Sequence, residues 1–144
     1  MAEYIPTPVD WVREQVELYE ASGGTEGTTL LDTGLPCIIV IHKGNKSGAI
    51  RKTPLMQVKD GSNFVLIGSM GGAPKNPVWV YNLRANPEVE IRDHTEVSTM
   101  RAREVTDDAE RDRLWELGVA AYPPYEDYKH KTSRKIPVFL AEPI

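Results

Sequence analysis

Cysteine is nearly absent from this sequence: Cys37 is the only one in 144 residues. A lone thiol closes no internal disulfide and builds no thiolate metal cage. Its place inside an apolar run reads as that of a small buried hydrophobe. Histidine is almost as scarce. His42, His94 and His130 are widely separated and follow no ligand spacing, so no metal site is predicted. Nor is there an excess of positive charge. The 17 Lys and Arg stand against 21 Asp and Glu, a net charge of -4, whereas a nucleic-acid binder needs a basic footprint. No apolar run approaches the roughly 18 residues that a spanning helix needs. The opening Met1–Pro6 lacks the basic and apolar blocks of a signal peptide, and a cytoplasmic protein is expected. Two common enzyme signatures are also missing. No Gly-x-Gly-x-x-Gly follows a strand pattern, and no Gly-x-Ser-x-Gly elbow is present.

What is there describes an ordinary folded domain, with 40% hydrophobic and 26% charged residues. Val9, Val12, Val16 and Tyr19 recur at helical spacing, which predicts an N-terminal helix within residues 1–22. Ser22-Gly23-Gly24 ends it, Thr25 to Gly34 reads as an ordered loop, and residues 23–144 read as one domain. Pro36 to His42 is a β-branched apolar run, expected as a strand buried on both faces. Further strands are predicted over Thr53–Lys59, Phe64–Ser69, Val89–Arg92, Val97–Val105 and Ile136–Leu140. The last is expected at a sheet edge because of Pro137. Asn76-Pro77 reads as an N-cap followed by a first helical residue, and Asp107-x-x-Glu110 as a capping box. Pro123-Pro124 ends that third helix, and a further helical turn can follow from Tyr125 to Lys131. Six short strands on hairpin-length connections, with about three helices, predict an α+β fold built on a mainly antiparallel barrel.

Three segments carry chemistry. Four of the 17 basic side chains (Lys43, Lys46, Arg51 and Lys52) fall within the 11 residues from His42 to Lys52. Gly44 and Gly48 flank the turn, so its backbone N–H groups can converge on one anion while Lys46 and Arg51 add charge. The same residues also suit a plain hairpin with solubilising lysines. Ser69-Met70-Gly71-Gly72-Ala73-Pro74-Lys75-Asn76-Pro77 sits at a strand-to-helix junction, where paired glycines let the backbone approach a flat ligand closely. Tyr122, Tyr125 and Tyr128 recur every three residues and can wall a pocket for a planar substrate, or simply pack half-buried.

Taken in order, these pieces resemble the deazaflavin-dependent nitroreductase family, whose cofactor is coenzyme F420. The resemblance runs from about Gly23 to Pro143. It rests on Gly44-x-Lys46-Ser47-Gly48, Arg51-x-Thr53-Pro54-Leu55, Ser69-x-Gly71-Gly72-Ala73-x-Lys75-Asn76-Pro77-x-Trp79, Asn82-Leu83-x-x-Asn86-Pro87, Tyr122-Pro123-x-Tyr125-x-x-Tyr128 and Ile136-Pro137. It implies a split β-barrel like that of FMN-binding oxidases. By that resemblance Lys46, Ser47, Gly48, Arg51 and Thr53 hold the cofactor's phosphate and acidic tail. Met56, Ser69, Met70, Gly71, Gly72 and Ala73 line the deazaflavin ring and ribityl chain, and Lys75, Asn76 and Asn82 support or touch it. Met56, Trp79, Tyr122, Tyr125 and Tyr128 shape the substrate side.

The implied reaction is hydride transfer from the reduced deazaflavin to a flat electrophile: a quinone, a nitroheteroaromatic or a conjugated lactone. Ser69 would stabilise developing negative charge, and Tyr125 or Tyr128 would relay a proton. The chain departs from the family at Asn45 and Met70, where relatives often carry a basic residue, and at Met56, where some carry tyrosine. Each lost cation removes a charge-assisted contact of order 1.5–3 kcal/mol, which Lys43 and Lys52 can offset. An FMN-dependent enzyme of the same barrel is the alternative, and would leave Lys43, Lys52 and Lys75 idle. A non-catalytic deazaflavin carrier is another. The N-terminal helix, with Trp11, is expected as a lid or packing element. Peripheral contact with the inner membrane face would suit lipophilic acceptors, although Asp10, Glu14, Glu17 and Glu20 outweigh Arg13 along it.

Overall fold

The structure, a computed structural model, describes residues 3–30 and 33–144. The loop expected over Thr25 to Gly34 includes Leu31 and Asp32, which lie outside the described residues. The elements in chain order are α1 (Asp10–Ala21), β1 (Cys37–Lys43), β2 (Ile50–Met56), β3 (Lys59–Asp60), β4 (Asn63–Ile67), α2 (Val78–Ala85), β5 (Glu88–Asp93), β6 (Glu96–Glu104), α3 (Asp108–Ala121), α4 (Pro124–Lys131) and β7 (Val138–Pro143). A single 3₁₀ turn spans Met70–Gly72.

The strands form one antiparallel sheet in the order β2-β1-β5-β6-β7-β4-β3. Its two outer strands are consecutive in the chain, separated only by Gln57 and Val58. At that step the backbone changes partners. Gln57 N–H donates to Pro36 O at 3.0 Å, and Val58 O accepts from Val65 N at 2.8 Å. A chain that borders both ends of one sheet forces the sheet to curl on itself, and the result is the split barrel. The single strand expected over Thr53–Lys59 is therefore two, bent at Gln57-Val58, and among the described residues the sheet has seven strands rather than six.

Alternation sets the core. Ile38 and Val40 face inward with Leu66, Leu83, Ile91, Met100 and Phe139, while Cys37 and Ile39 on the other face of β1 are covered by Val16 and Tyr19 of α1. The doubly buried first strand is as its β-branched run predicts. A second core joins Met56, Val65, Ile67 and Leu140 to Trp115 of α3 and Tyr125 of α4. Cys37 is fully buried, and desolvation pushes its thiol up to about 11, which keeps it protonated and inert.

Three expectations need correction. β7 lies in the sheet interior between β6 and β4. Pro137 precedes its first paired residue, so the missing N–H interrupts no ladder, and Pro137 O accepts from Gly68 N at 2.9 Å. Asn76 is not the cap of α2: Pro77 holds that place, and the Asn76 side chain accepts from Arg134 instead. The helices number four among the described residues, because the turn after Pro123 continues for eight residues as α4. Asp107 does cap α3, accepting from Glu110 N at 2.9 Å.

Candidate functional site

Two clefts adjoin beneath α1. The first, about 410 Å³, is mostly apolar and is lined by Trp11, Val12, Met56, Ile67, Ser69, Met70, Gly71, Trp79 and all three tyrosines. The second, about 360 Å³, is lined by Thr7, Pro8, His42, Arg51, Lys52, Val78 and Asn82. Val12, Thr53, Met70, Pro77 and Trp79 border both, so one elongated ligand can lie across the shared wall. A larger cleft of about 630 Å³ lies between the end of α2, the β1–β2 end that carries His42, Lys43 and Ile50, and β5–β6. It mixes Lys43 and Arg101 with Glu88 and Glu90 and lacks the glycine loop and tyrosines.

The glycine loop after β4 is held from outside the clefts. Arg134, in the segment before β7, donates from Nε to Ala73 O at 2.8 Å and from Nη2 to Ser69 O at 2.7 Å. Its Nη1 reaches Gly68 O at 3.1 Å and Asn76 Oδ1 at 2.8 Å. One guanidinium thus spans a loop whose residues Met70, Gly71 and Gly72 all have positive φ (48°, 65° and 81°) and which is closed internally by the two short-range bonds of a 3₁₀ turn. Met70 is the non-glycine among them and is 58% exposed at the junction of the two clefts. A strained residue at a ligand-facing position suits a site held ready for occupancy. Gly72 faces the other way. A Cβ there would lie 2.9 Å from Lys131 Cβ and 3.1 Å from Tyr128 O, so it sets how closely the loop packs on α4.

Tyr122, Tyr125 and Tyr128 come together at the apolar cleft. Tyr122 and Tyr128 share a hydroxyl–hydroxyl hydrogen bond of 2.9 Å, and Tyr125 packs edge-on against both rings. That bond pushes Tyr122 up to about 12, and burial raises Tyr125 further. Ser69 is buried, yet it lines the apolar cleft. Trp79 also lines both clefts while packing on Phe139 in the core.

The basic turn lies outside both cleft linings but is wired to them. Asn45 N–H donates to Asn82 Oδ1 at 2.9 Å, Gly48 N–H to Gly44 O at 3.0 Å and Ala49 N–H to Ser47 Oγ at 3.1 Å. Among the described residues the N–H groups of Lys46 and Ser47 donate to no acceptor, which leaves them for an anion. Lys52, Lys59, Lys129 and Lys135 each face a carboxylate, whereas Lys43, Lys46 and Lys75 face none among the described residues. Lys52 is therefore a poor replacement for a lost cation, because Glu20 holds it at 2.6 Å. Arg51 donates to Ile5 O at 3.0 Å, which ties the N-terminal segment to the cleft rim. No three His, Cys, Asp or Glu side chains gather as a metal site among the described residues.

Sequence reasoning missed Arg134 and undervalued His42. Arg134 sits in an undistinguished polar stretch and gives no sequence signal. His42 had one: it shares the inward face of β1 with Ile38 and Val40 at a spacing of two. It is 4% exposed, and burial with nearby Arg51 pushes its imidazole down to about 4 from an ordinary 6.5. The folded protein thus binds this proton less readily than the unfolded chain does. Stability from this group is complete above pH 6.5 and is lost as pH falls from there toward 4, by up to about 3 kcal/mol. Denaturant midpoints at pH 7 and pH 4.5 should show a fall that is clearly smaller in His42→Gln. Equal falls in both proteins would contradict it.

Comparison with known proteins fits this geometry. Residues 11–143 match the family described as F420H(2)-dependent quinone reductase. The chain belongs to that family. It is similar to an F420H(2)-dependent quinone reductase of Mycobacterium tuberculosis, 32% identical over 135 residues, covering 92% of this chain and 89% of that one. Among solved structures it is similar to an F420-H2 dependent reductase (42% identity, TM-score 0.70), covering 79% of this chain and 98% of the other. It is also similar to a domain-swapped dimer (43% identity, TM-score 0.73), covering 94% and 100%. A pyridoxamine 5'-phosphate oxidase-type protein from Listeria innocua, at 13% identity and TM-score 0.54 over 74% of this chain and 82% of that one, shares the split-barrel fold. The chain is thus an F420-dependent oxidoreductase whose cofactor is coenzyme F420. Its own residues fit that cofactor: an apolar, aromatic-walled cleft for a flat ring opens into a basic one beside free backbone donors for an anionic tail.

Proposed function

We propose that this chain reduces quinones, and flat electrophiles of similar shape, with F420 seated across the two clefts. The carrying observation is the shared wall between an apolar cleft and a basic one. In this reading Lys46, Ser47, Gly48, Arg51 and Thr53 take the phosphate and acidic tail. Met56, Ser69, Met70 and Gly71 face the ring, and Gly72 and Ala73 fix the loop that presents them. Lys75 adds free charge, while Asn76 and Asn82 act by bracing the loop and the basic turn. When bound, the reduced cofactor supplies a hydride.

The remaining task falls to side chains. A quinone that accepts a hydride gains negative charge on oxygen and then needs a proton. Ser69, which lines the apolar cleft, would donate a hydrogen bond as that charge grows. The Tyr122–Tyr128 pair can pass a proton inward from the exposed end of α4. Tyr125, whose proton is held more tightly, serves as a wall and a hydrogen-bond donor. Anaerobic mixing with reduced F420 and a short-chain naphthoquinone, followed by the return of oxidised deazaflavin absorbance, tests the activity. Ser69→Ala should lower kcat about 100-fold or more, a larger effect than any it has on cofactor affinity. Unchanged turnover of every acceptor would remove Ser69 from the mechanism.

No helix among the described residues is long and apolar enough to cross a membrane. The proposal places the enzyme in the cytoplasm, touching the inner membrane face through Trp11 and Leu18. These lie seven residues apart on one face of α1 and are 43% and 46% exposed. The dimeric neighbour supports a dimer for this chain as well.

A further inference from the structure

A single hydrogen-bonded line crosses the interior from the basic turn to the shared wall of the two clefts. It runs Asn45–Asn82–His42–Thr53, with lengths of 2.9, 3.1 and 2.9 Å. Its direction follows from donor chemistry alone. Asn45 contributes a backbone N–H, which only donates, so the Asn82 atom facing it is the amide oxygen. The other end of that amide is then NH₂, also only a donor, so His42 Nδ1 must accept. A neutral imidazole that accepts at Nδ1 carries its proton on Nε2, and that N–H donates to Thr53 Oγ1. Thr53 Oγ1 thereby accepts from His42 and keeps its own proton for another partner. Among the described residues that hydroxyl has no other partner, and Thr53 borders both clefts.

We infer that His42 is a positioning residue which, fixed as the Nε2–H tautomer by Asn82, turns the Thr53 hydroxyl proton away from itself and so directs it to an acceptor oxygen of the ligand in the clefts. The inference rests on the reading of these clefts as the F420 site. Asn82 is 1% exposed and His42 4%, so water does not compete for the line. Burial that keeps the imidazole neutral agrees with the tautomer, since a doubly protonated ring would present a donor to the Asn82 NH₂. The line also couples the two ends of the proposed site: the turn carrying Lys46 and Ser47 hangs from the same amide that orients His42.

The test has two arms, both on the full chain. In the first, long-range proton–nitrogen NMR correlation on ¹⁵N-histidine-labelled protein without ligand reports which ring nitrogen of His42 is protonated. Nε2–H is expected, and Nδ1–H would overturn the line's direction. In the second, oxidised F420 is titrated into wild type, Thr53→Val, Thr53→Ser, His42→Phe and the His42→Phe/Thr53→Val double variant. Thr53→Val and His42→Phe should each weaken binding about tenfold, the double variant should lose little more than either, and Thr53→Ser should stay near wild type. Wild-type affinity in Thr53→Val would overturn the inference, and that variant carries the arm alone if His42→Phe does not fold. A wild type that binds no F420 would overturn the reading of the clefts and the ligand half of the inference with it. The NMR arm would still decide the direction of the line.

Discussion

Arg134→Ala should cost more than tenfold in F420 affinity and about 3 kcal/mol in stability, although Arg134 lines neither cleft. Its guanidinium holds three carbonyls and one amide oxygen between Gly68 and Asn76. The loop it holds has positive φ at Met70, Gly71 and Gly72, and its only internal backbone bonds among the described residues are the two of a 3₁₀ turn, Gly72 N–H to Ser69 O at 2.9 Å and Ala73 N–H to Met70 O at 3.1 Å. Hydrogen bonds to a charged group are each worth about 1.5–3 kcal/mol, and a set sharing one side chain falls well short of the sum. Arg134→Lys should recover only part of the loss, because an ammonium cannot reproduce the planar fork. Thermal denaturation and F420 titration on the three proteins would check this. A variant that loses stability but binds F420 normally at low temperature would show that the loop keeps its shape without the brace.

Gly24→Ala should be the most damaging single change to the scaffold, at about 3–5 kcal/mol. Gly24 has φ +84°, and a Cβ there would fall 1.8 Å from His94 O and 2.2 Å from His94 C. The obstacle is backbone, so nothing can swing aside. The residue closes the end of α1 onto the β5–β6 turn, where the buried Tyr19 hydroxyl accepts from His94 N–H. Separating them would tilt the helix that brings Trp11 and Val12 to the clefts and Glu20 to Lys52. F420 affinity should therefore fall together with stability. Gly23→Ala is the control. Its φ is +67°, yet nothing lies within 4 Å of the added Cβ, so only the left-handed cost of roughly 1 kcal/mol applies. Chemical denaturation of both variants separates steric from conformational cost, and equal effects would contradict the docking argument.

The sequence carried the strands well where alternation or a β-branched run marked them, as in Cys37–His42. It misjudged the points where one element answers to another. Gln57-Val58 looks like continuous strand because both halves are extended, and only the closing of the sheet reveals the bend. Pro137 signals an edge on its own, but it stands one residue before the ladder begins. The same division holds for the site. The Gly44–Gly48 turn, the Ser69–Ala73 loop and the three tyrosines stand out by composition. Arg134 and the role of His42 do not, because each acts through groups distant in sequence, Arg134 on residues 58 to 66 positions away.

The central claim is that the two adjoining clefts form one site for a flat ring with an anionic tail. Trp11 lines the apolar cleft and Trp79 lines both, so a bound chromophore should quench tryptophan emission. Titration of the purified protein with oxidised F420, and separately with FMN, is the most direct test. Saturable quenching by F420, with FMN far weaker and with the F420 signal lost in Arg51→Gln, is the predicted result. Equal or tighter binding of FMN, or F420 binding that leaves Arg51→Gln unaffected, would contradict the account.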